Sequence, residues 1–313
     1  MKETHYKQEH HDEVIDLKEM WIALLNGKWF ILSITTLVSI IAVIYSLNLP
    51  NLYQSKAILV PVESSSSISG ALQSYGGLAS LAGVSLPSQG SDSNSVKAIQ
   101  KLNTLSFFEN NILPNIFLPN LMALESWNHN NKELLYNNKI FNNTSNTWTR
   151  DISYPKKNIP SAQESYIAFQ GQHMELSEDK KTGFVTISIK HQSPYIAKKW
   201  LELVVKEINS HFREKDKLEA QKAVDYLNKQ ISTTSFSEIK QVMAGLLQQQ
   251  TQKLILIESS EYYVFDYIDP PAIMENKSEP RRSVICILAS IMGFMLGMFL
   301  TILKYFMTKE TDY

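Results

Sequence analysis

The chain has 313 residues, with 30 Lys and Arg against 31 Asp and Glu and a net charge of −1, so it carries no bulk basic surface of the kind that attracts nucleic acid. One cysteine, Cys286, excludes a disulfide framework within the chain, and its apolar surroundings read as packing rather than redox or metal chemistry. A mean hydropathy of −0.17 suits a soluble domain with a few anchors better than a polytopic transporter.

Residues 1–28 read as a polar tail that turns into a short amphipathic helix. Val14, Leu17, Trp21 and Leu24/Leu25 recur at helical spacing, with Asp12, Glu13, Asp16 and Glu19 opposite. Such a helix is expected to lie along a membrane surface. Residues 29–49 follow as an uncharged apolar run between Lys28 and Lys56, long enough to cross a hydrocarbon core. The long polar lead and the absence of a small-x-small site after Leu49 mark a retained anchor rather than a cleaved signal.

Residues 50–282 form a stretch of 233 residues, enough for one large domain or two small ones. Tyr53 to Val62 is β-branched and aliphatic and predicts a strand. Residues 64–95 then hold 12 Ser and 5 Gly, a composition of flexible linkers. The small apolar run Gly76 to Gly83 inside the tract keeps a packed or interface role open. A helix is predicted over Ser95 to Leu113. The Asn-rich 120–148 stretch, punctuated by Trp127, Tyr136, Phe141 and Trp148, reads as mixed short helix and loop.

Gly183 to His191 alternates Val185, Ile187 and Ile189 with Phe184, Thr186 and Ser188, which predicts a half-buried strand pairing with the Tyr53 strand. A long helix is expected over 194–232, opened by Pro194 at the favoured first position. Its apolar stripe is interrupted by Arg213 to Lys217, read as a solvated stretch, with Glu202–Lys206 and Asp225–Lys229 as i,i+4 pairs. Ser235-x-x-Glu238 reads as a capping box opening a second helix over 235–258. Tyr262 to Ile268 predicts a strand, followed by a connector that Pro270, Pro271 and Pro280 stiffen by fixing φ. Residues 283–303, between Arg282 and Lys304, form a second span. Arg281 and Arg282 stand where headgroups would anchor them. Ala289, Gly293 and Gly297 fall four apart on one face, a spacing that lets helix backbones approach closely. The expected fold is therefore a membrane protein: two transmembrane helices flanking an α/β base domain with a long extended helical arm.

The charges flanking the spans are nearly balanced, so counting does not orient the hairpin. Catalytic motifs are missing as well. The Gly76–Gly83 tract lacks the lysine of a phosphate loop, and neither His-Glu-x-x-His, Cys-x-x-Cys nor Gly-x-Ser-x-Gly occurs. His5, His10 and His11 sit in the tail, and His129, His173, His191 and His211 are scattered, reading as surface or capping residues. Glu175, Glu178 and Asp179 are the one acidic cluster that glycoside hydrolysis could use. No catalytic, cofactor-binding or metal residues are assigned, and no cofactor is expected.

In its spans, its YQSKAILVPV strand, its GGLASLAG tract, its TGFVTISIKHQSPYIAKKW strand-to-helix run and its YYVFDYIDPP ending, the chain resembles the polysaccharide co-polymerases, the Wzz-type chain-length determinants of Gram-negative bacteria. The resemblance covers nearly the whole chain. It implies an inner-membrane protein with a cytoplasmic tail at 1–28, a periplasmic domain at 50–282 and a second cytoplasmic tail at 304–313. It further implies a bell-like homo-oligomer that sets the length of a lipid-linked glycan, commonly lipopolysaccharide O-antigen, made by a Wzy-type polymerase. The chain departs from the family where Met274 and Lys277 stand in place of connector prolines. Kinase-bearing relatives extend well past the second span, which here is followed by ten residues. Two other readings remain: a two-span sensor acting through a cytoplasmic partner, and a membrane-anchored glycan hydrolase.

Overall fold

The structure is a computed structural model that describes residues 17–62 and 94–311. The polar lead with His5, His10 and His11, and the Gly/Ser tract with Gly76–Gly83, lie outside the described residues. The chain divides into two units, one of residues 1–51 and 279–313, the other of residues 52–278.

The first unit begins with α1 (Leu17–Asn26) and α2 (Lys28–Asn48). They are separated only by Gly27, whose N–H and C=O still make helical bonds to Ala23 and Ile31. At 1.5 Å per residue the 21 residues of α2 reach about 32 Å, matching a hydrocarbon core of about 30 Å. Its hydroxyls do not break the helix, because Ser33, Thr35, Thr36 and Ser39 each donate to the carbonyl four residues back. Leu32, Leu37, Ile41 and Ile44 face outward and are exposed. The final helix of this unit, Arg282–Thr311, likewise exposes Ile287, Met292, Met295 and Phe299. A soluble core helix would bury such side chains; lipid is the solvent in which their exposure costs nothing. The protein is a two-span membrane protein.

The second unit starts with β1 (Tyr53–Pro61), and its next described element is α3 (Asn94–Leu102). The helix predicted over 95–113 is broken: Thr104 is extended and caps a fresh turn, and tight and wide helical turns follow through Asn115. After α4 (Leu118–Met122) come two hairpins, β2 (Leu124–Asn128) with β3 (Glu133–Tyr136) and β4 (Phe141–Asn142) with β5 (Thr147–Trp148). The expectation of short helix and loop is thus wrong for this stretch. The asparagines are turn residues: Asn128 Oδ1 accepts from the N–H groups of 130 and 131, Asn142 Oδ1 from those of 144 and 145, and Asn146 sits at φ 53°. Phe117, Tyr136, Phe141 and Trp148 stack at ring separations of 5.2–6.2 Å.

The loop into α5 (Ala162–Ala168) is pinned from inside. Buried Arg150 donates to the carbonyls of Lys157 and Asn158 and forms two parallel bonds, 2.6 and 2.9 Å, to Glu164. That guanidinium holds the Glu164 carboxyl below its ordinary range. β6 (Met174–Glu178) and β7 (Val185–His191) complete an antiparallel sheet in the order β6–β7–β1–β8, with β8 at Phe265–Asp269. Tyr53 pairs with His191 and Leu59 with Val185, as the alternation of Val185, Ile187 and Ile189 predicted. Those three side chains, with Ala57 and Leu59, are fully buried in the same core as Trp200, Leu201, Val204, Val205 and Ile208 of α6 (Pro194–Thr233).

α6 runs 40 residues, about 60 Å. Beyond Ala220 it is no longer buried in the core, and α7 (Ser237–Ser259) returns alongside it. Half-buried Val224, Leu227 and Ile231 on one helix and Met243, Leu247 and Leu254 on the other form the seam of this antiparallel pair. The capping box is not used: α7 starts at Ser237, its N-cap is Phe236, and no side chain caps it. The last element, Arg282–Thr311, is α8.

Candidate functional site

The span pair is joined by small residues. A methyl placed on Gly297 would meet the Ile31 Cα at 3.1 Å, and one on Gly293 would meet Val38 Cβ at 3.0 Å and Thr35 Cα at 3.3 Å. At Gly27 it would meet Thr301 Cγ2 at 2.3 Å. Ser39 and Ser290 share a hydrogen bond of 2.8 Å between the helices. The contacts 27–301, 31–297, 35/38–293 and 39–290 run antiparallel along both spans. The small-residue face containing half-buried Ala289 therefore packs on α2 of the same chain. Gly27 was missed by the sequence reading, although it continues a four-residue ladder with Ile31, Thr35 and Ser39.

The connector residues are placed individually. Pro270 is exposed and Pro271 is buried next to β8. Ser55 Oγ donates to the carbonyl of Ala272 at 2.9 Å, and Ser278 bonds Leu52 O through both its N–H (2.8 Å) and its hydroxyl. In the other unit, Pro280 is half-buried, Arg281 is exposed, and Arg282 donates to Asn51 Oδ1 at 3.2 Å.

Arg213 to Lys217, expected to be solvated, is instead a hub. Asp216 is 8% exposed and accepts from the Tyr263 hydroxyl and from Asn94 Nδ2 at 2.9 Å. Arg213 donates to the carbonyls of Ser260 (2.6 Å) and Glu261 (2.7 Å), and Lys217 pairs with Glu258. One turn earlier, buried Asn209 accepts from the N–H groups of Tyr263 (3.3 Å), Val264 (2.7 Å) and Phe265 (2.9 Å) and donates to Phe265 O (3.0 Å). These polar groups tie α6 to the strand β8. The helix-surface pairs that form along α6 are Lys198–Glu202, Lys215–Glu219 and the Gln221–Asp225 hydrogen bond.

His191 is a core group, not a surface or capping residue, and His173 is half-buried beside it. His191 is fully buried; its Nδ1 accepts from Ser193 N–H at 2.9 Å, and its Nε2–H faces Asn120 O at 3.2 Å. His173 donates from Nδ1 to Lys190 O, and both rings stand against Trp200 at 4.9 and 5.5 Å. The signal was available: the alternation that buries Val185, Ile187 and Ile189 places His191 next on the same face. Burial, reinforced by the nearby His173 charge, depresses His191 to about 3. The unfolded ring takes its proton near pH 6.5 while the folded ring stays neutral, so stability present above pH 6.5 is lost as pH falls toward 3. At pH 5 the loss from this residue is about 2 kcal/mol. Urea unfolding at pH 7 and pH 5 should show that His191→Gln flattens this dependence; an unchanged slope would assign it elsewhere.

Two residues of the acidic cluster are engaged locally. Glu175 is occupied by Lys190 and, at 3.4 Å, by Gln54 Nε2. Asp179 is held below the ordinary carboxylate range, chiefly by the Lys181 N–H. Among the described residues, no group of three His, Cys, Asp or Glu side chains converges as metal ligands would.

The class defined by these features is a two-span membrane protein whose apolar helices flank a mixed α/β domain with long helices. Residues 13–109 match the family model described as Wzz, chain length determinant protein. The resemblance read from the sequence is borne out over that stretch. Among solved structures the chain is similar to a full-length bacterial polysaccharide co-polymerase, at 15% identity over 94% of this chain and 99% of that one, with a TM-score of 0.39. It is also similar to a fragment of WzzB, a polysaccharide co-polymerase from Salmonella Typhimurium, at 12% identity over 73% of this chain and 100% of that one, with a TM-score of 0.29. No curated protein matches the chain.

Proposed function

We propose that this protein is a non-enzymatic, homo-oligomeric scaffold that regulates the length of a lipid-linked surface polysaccharide, the O-antigen of lipopolysaccharide, together with a Wzy-type polymerase. In this reading residues 29–49 and 283–303 cross the bacterial inner membrane, both termini are cytoplasmic and residues 50–282 are periplasmic. Pro270, Pro271 and Pro280 stiffen the connector, Arg281 and Arg282 anchor at headgroups, and the face of Ala289, Gly293 and Gly297 packs spans. The observation that carries the reading is the chain-length-determinant match over residues 13–109.

Assembly is supported by the outer face of α7, where Phe236, Ile239, Val242 and Leu246 form an exposed apolar row. An apolar row of this kind on a soluble domain marks an interaction surface. The test is the lipopolysaccharide banding of a strain lacking the protein. Deletion is expected to replace a modal ladder by an unregulated one, and restoring the gene to return the mode. Identical ladders in both strains would overturn the proposal.

A further inference from the structure

One face of the α1–α2 helix carries Trp21, Leu24, Leu25, Lys28, Ile31, Leu32 and Thr35 at intervals of three and four residues. With Phe294 and Met298 of α8 it encloses a groove of about 310 Å³. Eight of these nine lining residues are uncharged; among the described residues Lys28 is the single cation lining the groove, and no acidic side chain lines it. The groove lies within the span unit, at the end of α2 where the apolar run begins. Trp21, Leu25, Leu32 and Phe294 expose roughly half or more of their surface, so the groove opens outward rather than closing on the protein.

A slot of this composition beside a membrane span admits hydrocarbon, and its one positive charge attracts an anion beside that hydrocarbon. We infer that the groove is a site for an anionic phospholipid of the surrounding bilayer. One acyl chain lies against Ile31, Leu32, Thr35, Phe294 and Met298, and the headgroup phosphate pairs with Lys28. A zwitterionic lipid would fill the same slot but brings its own cation to the phosphate, so charge complementarity favours lipids with net negative charge. The inference does not depend on the glycan function.

A tryptophan introduced at Leu32, on the groove wall where the acyl chain lies, reports on the site. The full-length protein carrying Trp21→Phe, Trp29→Phe and Leu32→Trp is placed in nanodiscs of phosphatidylcholine with one tenth phosphatidylglycerol, with dibrominated chains on one lipid or the other at equal mole fraction. Brominated phosphatidylglycerol is expected to quench the tryptophan at position 32 at least twofold more than brominated phosphatidylcholine. Lys28→Gln should abolish that excess and Lys28→Arg should retain it. Thr35→Phe, which fills the groove, should lower it with Lys28 intact, and Met298→Phe provides the same block from the opposite wall. Equal quenching by the two lipids, or an excess that survives Lys28→Gln, overturns the site. An excess that survives both filled variants reduces it to attraction at the headgroup surface and overturns it too. Displacement of the excess by an equal mole fraction of polyprenyl phosphate overturns the choice of a phospholipid.

Discussion

Asn209→Leu is expected to destabilise the 52–278 unit by about 3–5 kcal/mol, although the substitution nearly conserves side-chain volume. The reason is the segment that approaches β8. Tyr263, Val264 and Phe265 are buried, and their N–H groups point at Asn209 Oδ1 from 3.3, 2.7 and 2.9 Å. Its Nδ2 donates to Phe265 O at 3.0 Å and to Val205 O at 3.1 Å. Leucine would strand at least two close N–H groups and one carbonyl without water, each costing about 1–3 kcal/mol. In a unit of this size that corresponds to a fall in the unfolding midpoint of roughly 6–20 °C. Asn209→Asp keeps the acceptor but loses the donor and sets a carboxylate against Phe265 O, so it should fall between wild type and leucine. Circular dichroism melts of the detergent-extracted full chain will show the order. A leucine variant that melts with the wild type would mean that the 263–265 backbone finds other partners.

What could be read from the chain follows from how local the signal is. The spans, the β1–β7 pairing and the long helix Pro194–Thr233 are set by periodicity over many residues, and they appear where the pattern places them. Residues 120–148 were misread because asparagine suits helix ends and turns alike. What separates the cases is pairing at a distance, as between Phe141 and Trp148, which a linear pattern does not display. The polar hub was misread for a related reason. Arg213 to Lys217 is charged enough to be solvated, and only the return of the chain through 258–263 brings its partners. His191 is different, since its burial was written in the strand alternation and a general rule about solitary histidines obscured it. The candidate site was therefore legible as a small-residue face on one helix. Its counterpart on α2, with Gly27 against Thr301, needed the fold.

Replacing Gly293 and Gly297 together by leucine is expected to separate α2 from α8 and to shift or randomise the glycan ladder. Lipid supplies no hydrophobic drive between helices, so the pair depends on close approach and on a few polar contacts, each worth roughly 0.6 kcal/mol. At Gly297 the obstruction is Ile31 backbone, with Cα at 3.1 Å and O at 3.3 Å from an added Cβ, and backbone cannot rotate aside as a side chain can. At Gly293 the obstruction includes the β-branched Val38 and the Thr35 Cα. Two leucines in these positions must push the helices apart and break the Ser39–Ser290 hydrogen bond. That separation can be read directly: in a Cys286→Ala background, Ser39→Cys with Ser290→Cys should cross-link readily, and the double leucine variant should lower the yield at least tenfold. Retained cross-linking would show that the spans tolerate the added bulk. Lost cross-linking with an unaltered ladder would leave the packing intact as a structural fact and remove it from length control.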